Sequence, residues 1–499
     1  MNSVRRNVIA NYVGSGWNAL MGVVFTPLYI YYLGIEAFGV IGVFTLLQSW
    51  LFFLDMGITP TMSREMARFD AGAYTSQNIC DLVRSLEVIY LLIALTIATV
   101  MTIGSAWLTA NWLQISLLPE ADVEKALSLT GFFIALRFFG GLYRGAIVGL
   151  QQQVWLNGCS SVFATMRGLG VVVILAWVSP TILAFLVFQG VMAALEAVVL
   201  AFKMHRLLPI PQESAGFRWG SLQKIWRFAA GMTANTLQIL FLTQVDKLLL
   251  SKLLPLSEFG YYTLATTLAG GLFVVMGAIT NVAYPRFTKL VTSGNAITLI
   301  ENYHKFAQIF SVIIIPTALV LSIFSEHILL LWTHNTLITA KVAPLLSLLV
   351  IGNMLNGLTQ IPYFLQLAYG WTRLNIIVNF LSMLVLIPAV YFFVPLYGAI
   401  IAPIIWIVLN IGFISLSIPI MHRRLLPAEM WRWYWQDVIL PVIGALVPIS
   451  IMYFLFPLPI LDKPLISLIG VSLAAITGLV SVAMTTRIGR SFIYSYTKS

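Results

Sequence analysis

Three arginines interrupt an otherwise apolar, glycine-rich stretch, GFFIALRFFGGLYRGAIVGLQQQVWLNGCSSVFATMRGLG, which runs from Gly131 to Gly170. Arg137 and Arg144 are seven residues apart, so on a helix they share one face, and Gly140 and Gly141 open space beside the backbone there. Arg167 follows across a short polar turn at Gln151–Gln153. A guanidinium at mid-bilayer depth costs roughly 2.5–3.5 kcal/mol on insertion scales, so three in one hairpin require a hydrated or paired environment. Cations at several depths would suit an anionic group moving across a membrane. The competing reading is that Asp55, Glu196 or helix ends neutralise them, or that they snorkel to the headgroups. Lys247 is a fourth candidate cation, directly preceded by Asp246.

Other polar groups are sparser. Asp55 and Asp246 read as the only buried aspartates, which makes them candidates for coupling to a proton or sodium ion, with pairing to a neighbouring arginine as the alternative. Asn11, Ser15 and Asn18, then Asn235 and Gln238, then Asn353, Asn356 and Gln360 form stripes at helical spacing. Such faces either line a hydrated cavity or hydrogen-bond between helices. The five histidines (His205, His304, His327, His334 and His422) fall in loops or at helix ends and read as interfacial polar residues. Cys80 and Cys159 are the only cysteines. No metal-ligand spacing and no phosphate-binding glycine loop occurs, so neither a metal, a cofactor nor nucleotide use is expected. The connections are too short for a soluble catalytic domain, and the chain reads as a non-enzyme.

The elements that must position these groups follow from composition. Of 499 residues, 60% are hydrophobic and 9% charged, which fits an all-α polytopic membrane protein. The apolar runs predict fourteen helices, near residues 8–33, 37–60, 84–110, 126–149, 155–178, 181–203, 226–253, 257–283, 304–326, 339–367, 372–393, 397–421, 438–456 and 464–486. The N-terminal run has no convincing cleavage site and reads as a first spanning helix. Of the 28 Lys and Arg residues, 20 lie on the side shared by both termini. Only four lie opposite, and four lie within helices. The net charge of +10 is thus mostly topology, with contact to membrane lipids, rather than a nucleic-acid surface, and both termini are expected in the cytoplasm.

The chain also repeats itself. Phe38-Gly39, preceded by Glu36, recurs 221 residues later as Phe259-Gly260, preceded by Glu258. Leu156-Asn157 recurs 218 residues later as Leu374-Asn375. These landmarks suggest a parallel repeat of six helices. The division expected is an N-terminal lobe over 1–205, a basic linker over 206–225, a C-terminal lobe over 226–421 and an added pair of helices with a tail over 422–499. The counterpart of the arginine hairpin, near 349–388, carries only Arg373, so the cationic interior is lopsided.

Two segments carry a family resemblance. PLYIYYLGIEAFGVIGVFTLLQSWLFFLDMGITPTMSREMARF (27–69) and GLYRGAIVGLQQQVWLN (141–157) resemble the Wzx-type oligosaccharide flippases of the MATE-like superfamily. Leu33-Gly34, Phe38-Gly39, Leu54-Asp55-Met56-Gly57 and Arg64 look like that family's pattern around the second helix. The resemblance implies two six-helix lobes around a cavity that opens alternately to either side. It also implies transport of polyprenyl-diphosphate-linked oligosaccharides for O-antigen, capsule or exopolysaccharide, in a bacterial inner membrane. A polysaccharide polymerase and chain-length machinery are then expected partners. The family's cationic cavities agree with Arg137, Arg144, Arg167 and Lys247 without assigning a role to any one. The drug-exporting branch of the superfamily is the rival, but it is expected to keep a carboxylate in the first helix, and none occurs between Asn7 and Leu33. On this reading the diphosphate meets the N-terminal half, and the Asn353, Asn356 and Gln360 stripe faces the glycan.

Overall fold

The computed structural model describes residues 3–55, 57–211, 213–223, 225, 240–241, 243–455 and 464–486. Among them the chain is all-helical, and the one β-bridge pairs Gln114 with Pro255. By its contacts it divides into two units, Met1–Gly260 and Tyr261–Ser499.

Eleven helices among the described residues are long and apolar enough to cross a membrane, so the chain is a multi-pass membrane protein. The expected fourteen maps onto these with three differences. The first helix, Ser3–Leu33, has 31 residues but is diluted by polar side chains and is not among the eleven. The expected eleventh and twelfth fall in one 53-residue span, Arg373–Leu425, broken at Gly398, where φ is 72°. The expected helix 226–253 is described only at 240–241 and from 243 onward.

In the first unit the helices run α1 Ser3–Leu33, α2 Ile35–Leu51, α3 Ile58–Asp70, α4 Ser76–Asn111, α5 Glu120–Gly149, α6 Gln153–Trp177 and α7 Ile182–Leu207. The expected second helix therefore ends early. A 3-10 turn at Phe52–Asp55 leads to Gly57, whose φ of 66° a side chain would resist, and α3 starts anew. The Asp55 carboxylate accepts from the Thr59 backbone N–H at 3.1 and 3.2 Å, satisfying one of the donors that a helix start leaves open.

Helix α5 is the hub of this unit, with α3, α4 and α7 all packed against it. Its Gly141, Gly145 and Gly149 form a stripe at fourfold spacing that faces α3. A Cβ at Gly145 would sit 2.6 Å from the Thr59 carbonyl oxygen, and one at Gly149 would collide with the Ser63 carbonyl oxygen. Small residues let two backbones meet where lipid offers no hydrophobic driving force between helices. Close packing there fixes the register of α5, and with it the direction of Arg137 and Arg144. The N-terminal end of α2 is held by Glu36, whose carboxylate accepts the backbone N–H groups of Ser116 (2.6 Å), Leu117 (2.7 Å) and Leu118 (3.2 Å).

In the second unit the helix Ala296–Ile323 is central. Against it pack Gly271–Thr292, Thr336–Leu358 and the C-terminal pair Leu440–Leu455 and Pro464–Thr485. A buried polar cluster joins it to the segment before that pair. One His304 ring nitrogen pairs with Asp437, and the other faces Glu429 Oε2 at 2.9 Å. Gln308 donates to the same Asp437 carboxylate at 2.9 Å, and Arg432 pairs with Glu429 at 3.2 Å. Asp437 lies in a π-helical turn, Trp433–Ile439. His422, beside them, meets the Tyr303 hydroxyl at 3.1 Å.

Two sequence expectations change here. His304, His327 and His422 are buried rather than interfacial, and Asp81 and Asp437 are buried aspartates in addition to Asp55. The ionisable partners of His304, Asp437 and Asp81 lie more than a hundred residues away, where local pattern does not reach. Asp246 is only half-buried.

Candidate functional site

Helices α5 and α6 supply the three arginines, and α7 supplies the carboxylate between them. Glu196 is the only acidic residue of α7 and its side chain is 7% exposed. Its Oε1 accepts from Arg144 Nη2 at 2.7 Å and its Oε2 from Arg167 Nη1 at 2.7 Å. Arg144 also donates to Ser160 Oγ at 3.1 Å. Both charges are thereby tied to one anion across three helices, an arrangement in which charge-assisted bonds fix position as well as charge.

Arg137 is different. Its guanidinium reaches Gln48 Oε1 on α2 at 3.4 Å and lies over the Phe133 ring, 5.4 Å from its centroid. Among the described residues no carboxylate lies within 4.0 Å of it. Arg167, Glu196 and Arg144 are nonetheless near enough to act on its charge.

All three arginines open onto one cavity of about 510 Å³ inside the first unit, within the size range of small-ligand sites. Ser15 and Asn18 of α1, Gln48 of α2, Thr59 of α3, and Asn157 and Ser160 of α6 supply its other polar groups, and Ile134, Phe138 and Gly141 of α5 complete the wall. Three arginines against one glutamate leave this wall with two formal positive charges. Such a chamber can take an anion together with hydroxyl-rich groups. No cluster of histidine, cysteine and carboxylate for a metal occurs among the described residues.

The remaining candidates fall in several places. Asn11 accepts from Asn157 Nδ2 at 2.5 Å, at the packing of α1 on α6, and Asn18 lines the cavity. Lys247 does not line it and donates instead to Gln244 Oε1 at 3.3 Å. Asp55 lies behind Thr59, bonded to the Thr59 hydroxyl at 2.6 Å and to the Tyr90 hydroxyl. In the second unit Asn353 donates to the Ala269 carbonyl and accepts from Trp406 Nε1, both at 3.2 Å. Asn356 donates to Asn410 Oδ1 at 3.0 Å, and Gln360 donates to Asn356 at 3.3 Å. Asn353 and Asn356 are thus tied to the helix Ile401–Gly412. Asn235 and Gln238 lie outside the described residues.

Sequence reasoning placed Glu196 only among the groups that would neutralise the arginines, and it passed over Gln48, Thr59 and Ser160 as site residues. The available signal for Glu196 was its standing alone in a 26-residue apolar helix. For the other three, one polar residue on an apolar face carries no signal of its own.

Residues 4–291 match the family described as "Polysaccharide biosynthesis protein". The chain is 21% identical over 407 residues to a Shigella flexneri protein named "Putative O-antigen transporter", covering 81% of this chain and 94% of that one. It is 23% identical over 388 residues to EpsK of Bacillus subtilis, an uncharacterized membrane protein, covering 74% and 72% of the two chains. Among solved structures, an inward closed lipid II flippase, MurJ, superposes with a TM-score of 0.71 at 13% identity, covering 98% of this chain and 99% of that one. An inward-facing multidrug resistance transporter of the MATE family superposes with a TM-score of 0.64 at 14% identity, covering 85% and 100%. At these identities the structural likeness establishes a shared fold.

Proposed function

This chain belongs to the polysaccharide biosynthesis protein family, and from that premise we propose that it is a bacterial inner-membrane flippase for polyprenyl-diphosphate-linked oligosaccharide, carrying the lipid-linked glycan from the cytoplasmic to the periplasmic leaflet. The observation that carries this reading is the cationic cavity, where Arg137 has no carboxylate within 4.0 Å among the described residues and stands beside an arginine pair that shares Glu196. Transport here needs no covalent step. The diphosphate moves onto Arg137 and the neighbouring pair, so part of its lost hydration is replaced by guanidinium donors in a low-dielectric chamber. Ser15, Asn18, Gln48, Thr59 and Ser160 offer donors and acceptors to sugar hydroxyls. The polyprenyl tail stays in lipid, and alternating access exchanges the side to which the chamber opens.

The net positive wall argues against the runner-up, a cation-coupled multidrug exporter, because a cationic drug would be repelled by it. The proposed topology has both termini in the cytoplasm, in keeping with the distribution of Lys and Arg. A polysaccharide polymerase and chain-length machinery would take the product at the periplasmic face.

The test is deletion of the gene followed by analysis of lipid-linked glycan in each leaflet. Accumulation on the cytoplasmic side, relieved by the wild-type chain and not by a stably inserted Arg137→Ala variant, is the expected result. Relief by Arg137→Ala and Arg167→Ala at the wild-type rate would sink the cationic-path reading.

A further inference from the structure

Glu196 does not line the cavity, and each of its oxygens accepts from a different arginine at 2.7 Å. A carboxylate beside an anion-binding chamber nonetheless lowers attraction for an anionic ligand. Its presence therefore asks for a reason. A carrier must bind its cargo firmly enough to load and loosely enough to unload. With Glu196 removed the chamber would hold three uncompensated guanidiniums; with it, two formal positive charges remain. Each phosphorus of a diphosphate diester bears one negative charge, so the two sets balance.

We infer that Glu196 sets the charge of the chamber to match a diphosphate diester, and so determines both selectivity for the number of phosphates and the rate of release. The inference rests on the flippase reading and deepens it. Other carboxylates do not fill this place. Asp55 lies behind Thr59 and is bonded to Thr59 and Tyr90. Glu87 is engaged by Arg84 at 3.1 Å and by Tyr143 at 3.1 Å. Glu196 acts through the arginines and does not touch the cargo, so it is a positioning and charge-setting residue. Its lever is short range: a change of one charge beside the site shifts anion affinity by roughly tenfold when the effective dielectric is that of a partly hydrated interior.

The experiment uses the full-length protein in lipid nanodiscs, with two probes. One is farnesyl-diphosphate-linked N-acetylglucosamine; the other is the same sugar on a single-phosphate diester. Wild type is expected to prefer the diphosphate probe. Glu196→Gln should bind the single-phosphate probe roughly tenfold and the diphosphate probe roughly a hundredfold more tightly, since the gain scales with ligand charge, and in proteoliposomes it should flip the diphosphate probe more slowly, with a lower KM and a lower kcat. Glu196→Asp keeps the charge and should return toward wild type. The double variant Arg167→Gln with Glu196→Gln restores two net charges, so its affinity should fall back from that of Glu196→Gln alone. A merely structural role predicts instead that every variant weakens binding or insertion together. Unchanged or weaker binding by Glu196→Gln, or a double variant as tight as the single, overturns the inference while leaving the flippase reading intact. If Glu196→Gln does not insert, the double variant decides through the ratio of the two probes: a preference for the diphosphate equal to that of wild type supports charge matching whatever the absolute affinity, and a lost preference overturns it. A wild type with no preference for the diphosphate probe overturns both.

Discussion

The Arg137 guanidinium lies 5.4 Å from the centroid of the Phe133 ring, one turn earlier on the same helix. Phe133 is buried and packs edge-on against Phe44 of α2. The ring thus supports a charge that no carboxylate holds among the described residues, and it leaves the guanidinium donors directed at the chamber. Arg137→Ala is expected to lower flipping of lipid-linked glycan by at least roughly tenfold, equivalent to about 1.4 kcal/mol, with membrane insertion retained. Phe133→Leu removes a contact of about 0.5–1 kcal/mol and should slow flipping only by about two- to fivefold. Rates in proteoliposomes check both, and equal effects of the two would contradict this division of roles.

Gly149 has the Ser63 carbonyl oxygen and Met66 Cβ against its Cα. Gly149→Val must push α3 from α5, an overpacking expected to cost about 1–3 kcal/mol. The variant should insert with lower yield and melt earlier in detergent. Gly158→Ala, where an added methyl group would meet nothing within 4 Å, is the control and should be near neutral. A Gly149→Val protein as stable as wild type would show that the α3–α5 approach is not as close as described.

The His304–Asp437 pair is almost wholly buried, with side chains 3% and 0% exposed. Removing one partner of such a pair strands the other, at a cost of about 3–5 kcal/mol. Asp437→Ala should therefore detach the C-terminal pair of helices from Ala296–Ile323, seen as protease sensitivity in the segment around Glu429. Replacing His304 and Asp437 together by leucine should be milder than the single change, because no unpaired charge is left. If the double variant is the more damaged, the cluster contributes more than its own balance of charge.

His327 lies in the short helix Ser325–Thr333, outside the eleven spans, against Phe324 and Tyr453. Burial lowers its pKa below the ordinary imidazole value of 6.5, a shift that Glu326 only partly opposes. A folded state that resists protonation binds fewer protons than the unfolded chain. Stability contributed by neutral His327 is thus complete above the unfolded value near 6.5 and declines as pH falls below it. Melting temperatures between pH 8 and pH 5 should fall less steeply for His327→Gln than for wild type. Parallel curves would remove His327 from the pH dependence.

The helical, multi-pass character of the chain is plain in the sequence, because about twenty apolar residues per crossing leave few alternatives. The arginine hairpin is equally plain, since Arg137, Arg144 and Arg167 stand out against their neighbours. The counter-charge is less so: Glu196 and Arg144 are 52 positions apart, and only the packing of α5 on α7 brings them together. The same holds for His304 and Asp437, 133 positions apart. The break at Gly57 is hidden by the apolar run from Trp50 to Leu54, and it shows once the Asp55 carboxylate is found accepting from the first turn of α3. The Asn353 and Asn356 stripe illustrates the opposite case. Its spacing marks a polar face, but Trp406 and Asn410, not spacing, direct that face toward another helix.

The glycine stripe of α5 has a bearing on how such a carrier changes over time. Gly141, Gly145 and Gly149 meet α3 largely through its backbone and small side chains, so the frame of the chamber depends little on which larger side chains line it. Ser15 and Asn18, which line the chamber without bonding to an arginine, can then be exchanged one at a time without unseating the arginines. A lineage confronted with a new surface sugar could retune the wall while inheriting the charge-handling scaffold intact, and drift would be tolerated at the wall long before it is tolerated at the three glycines.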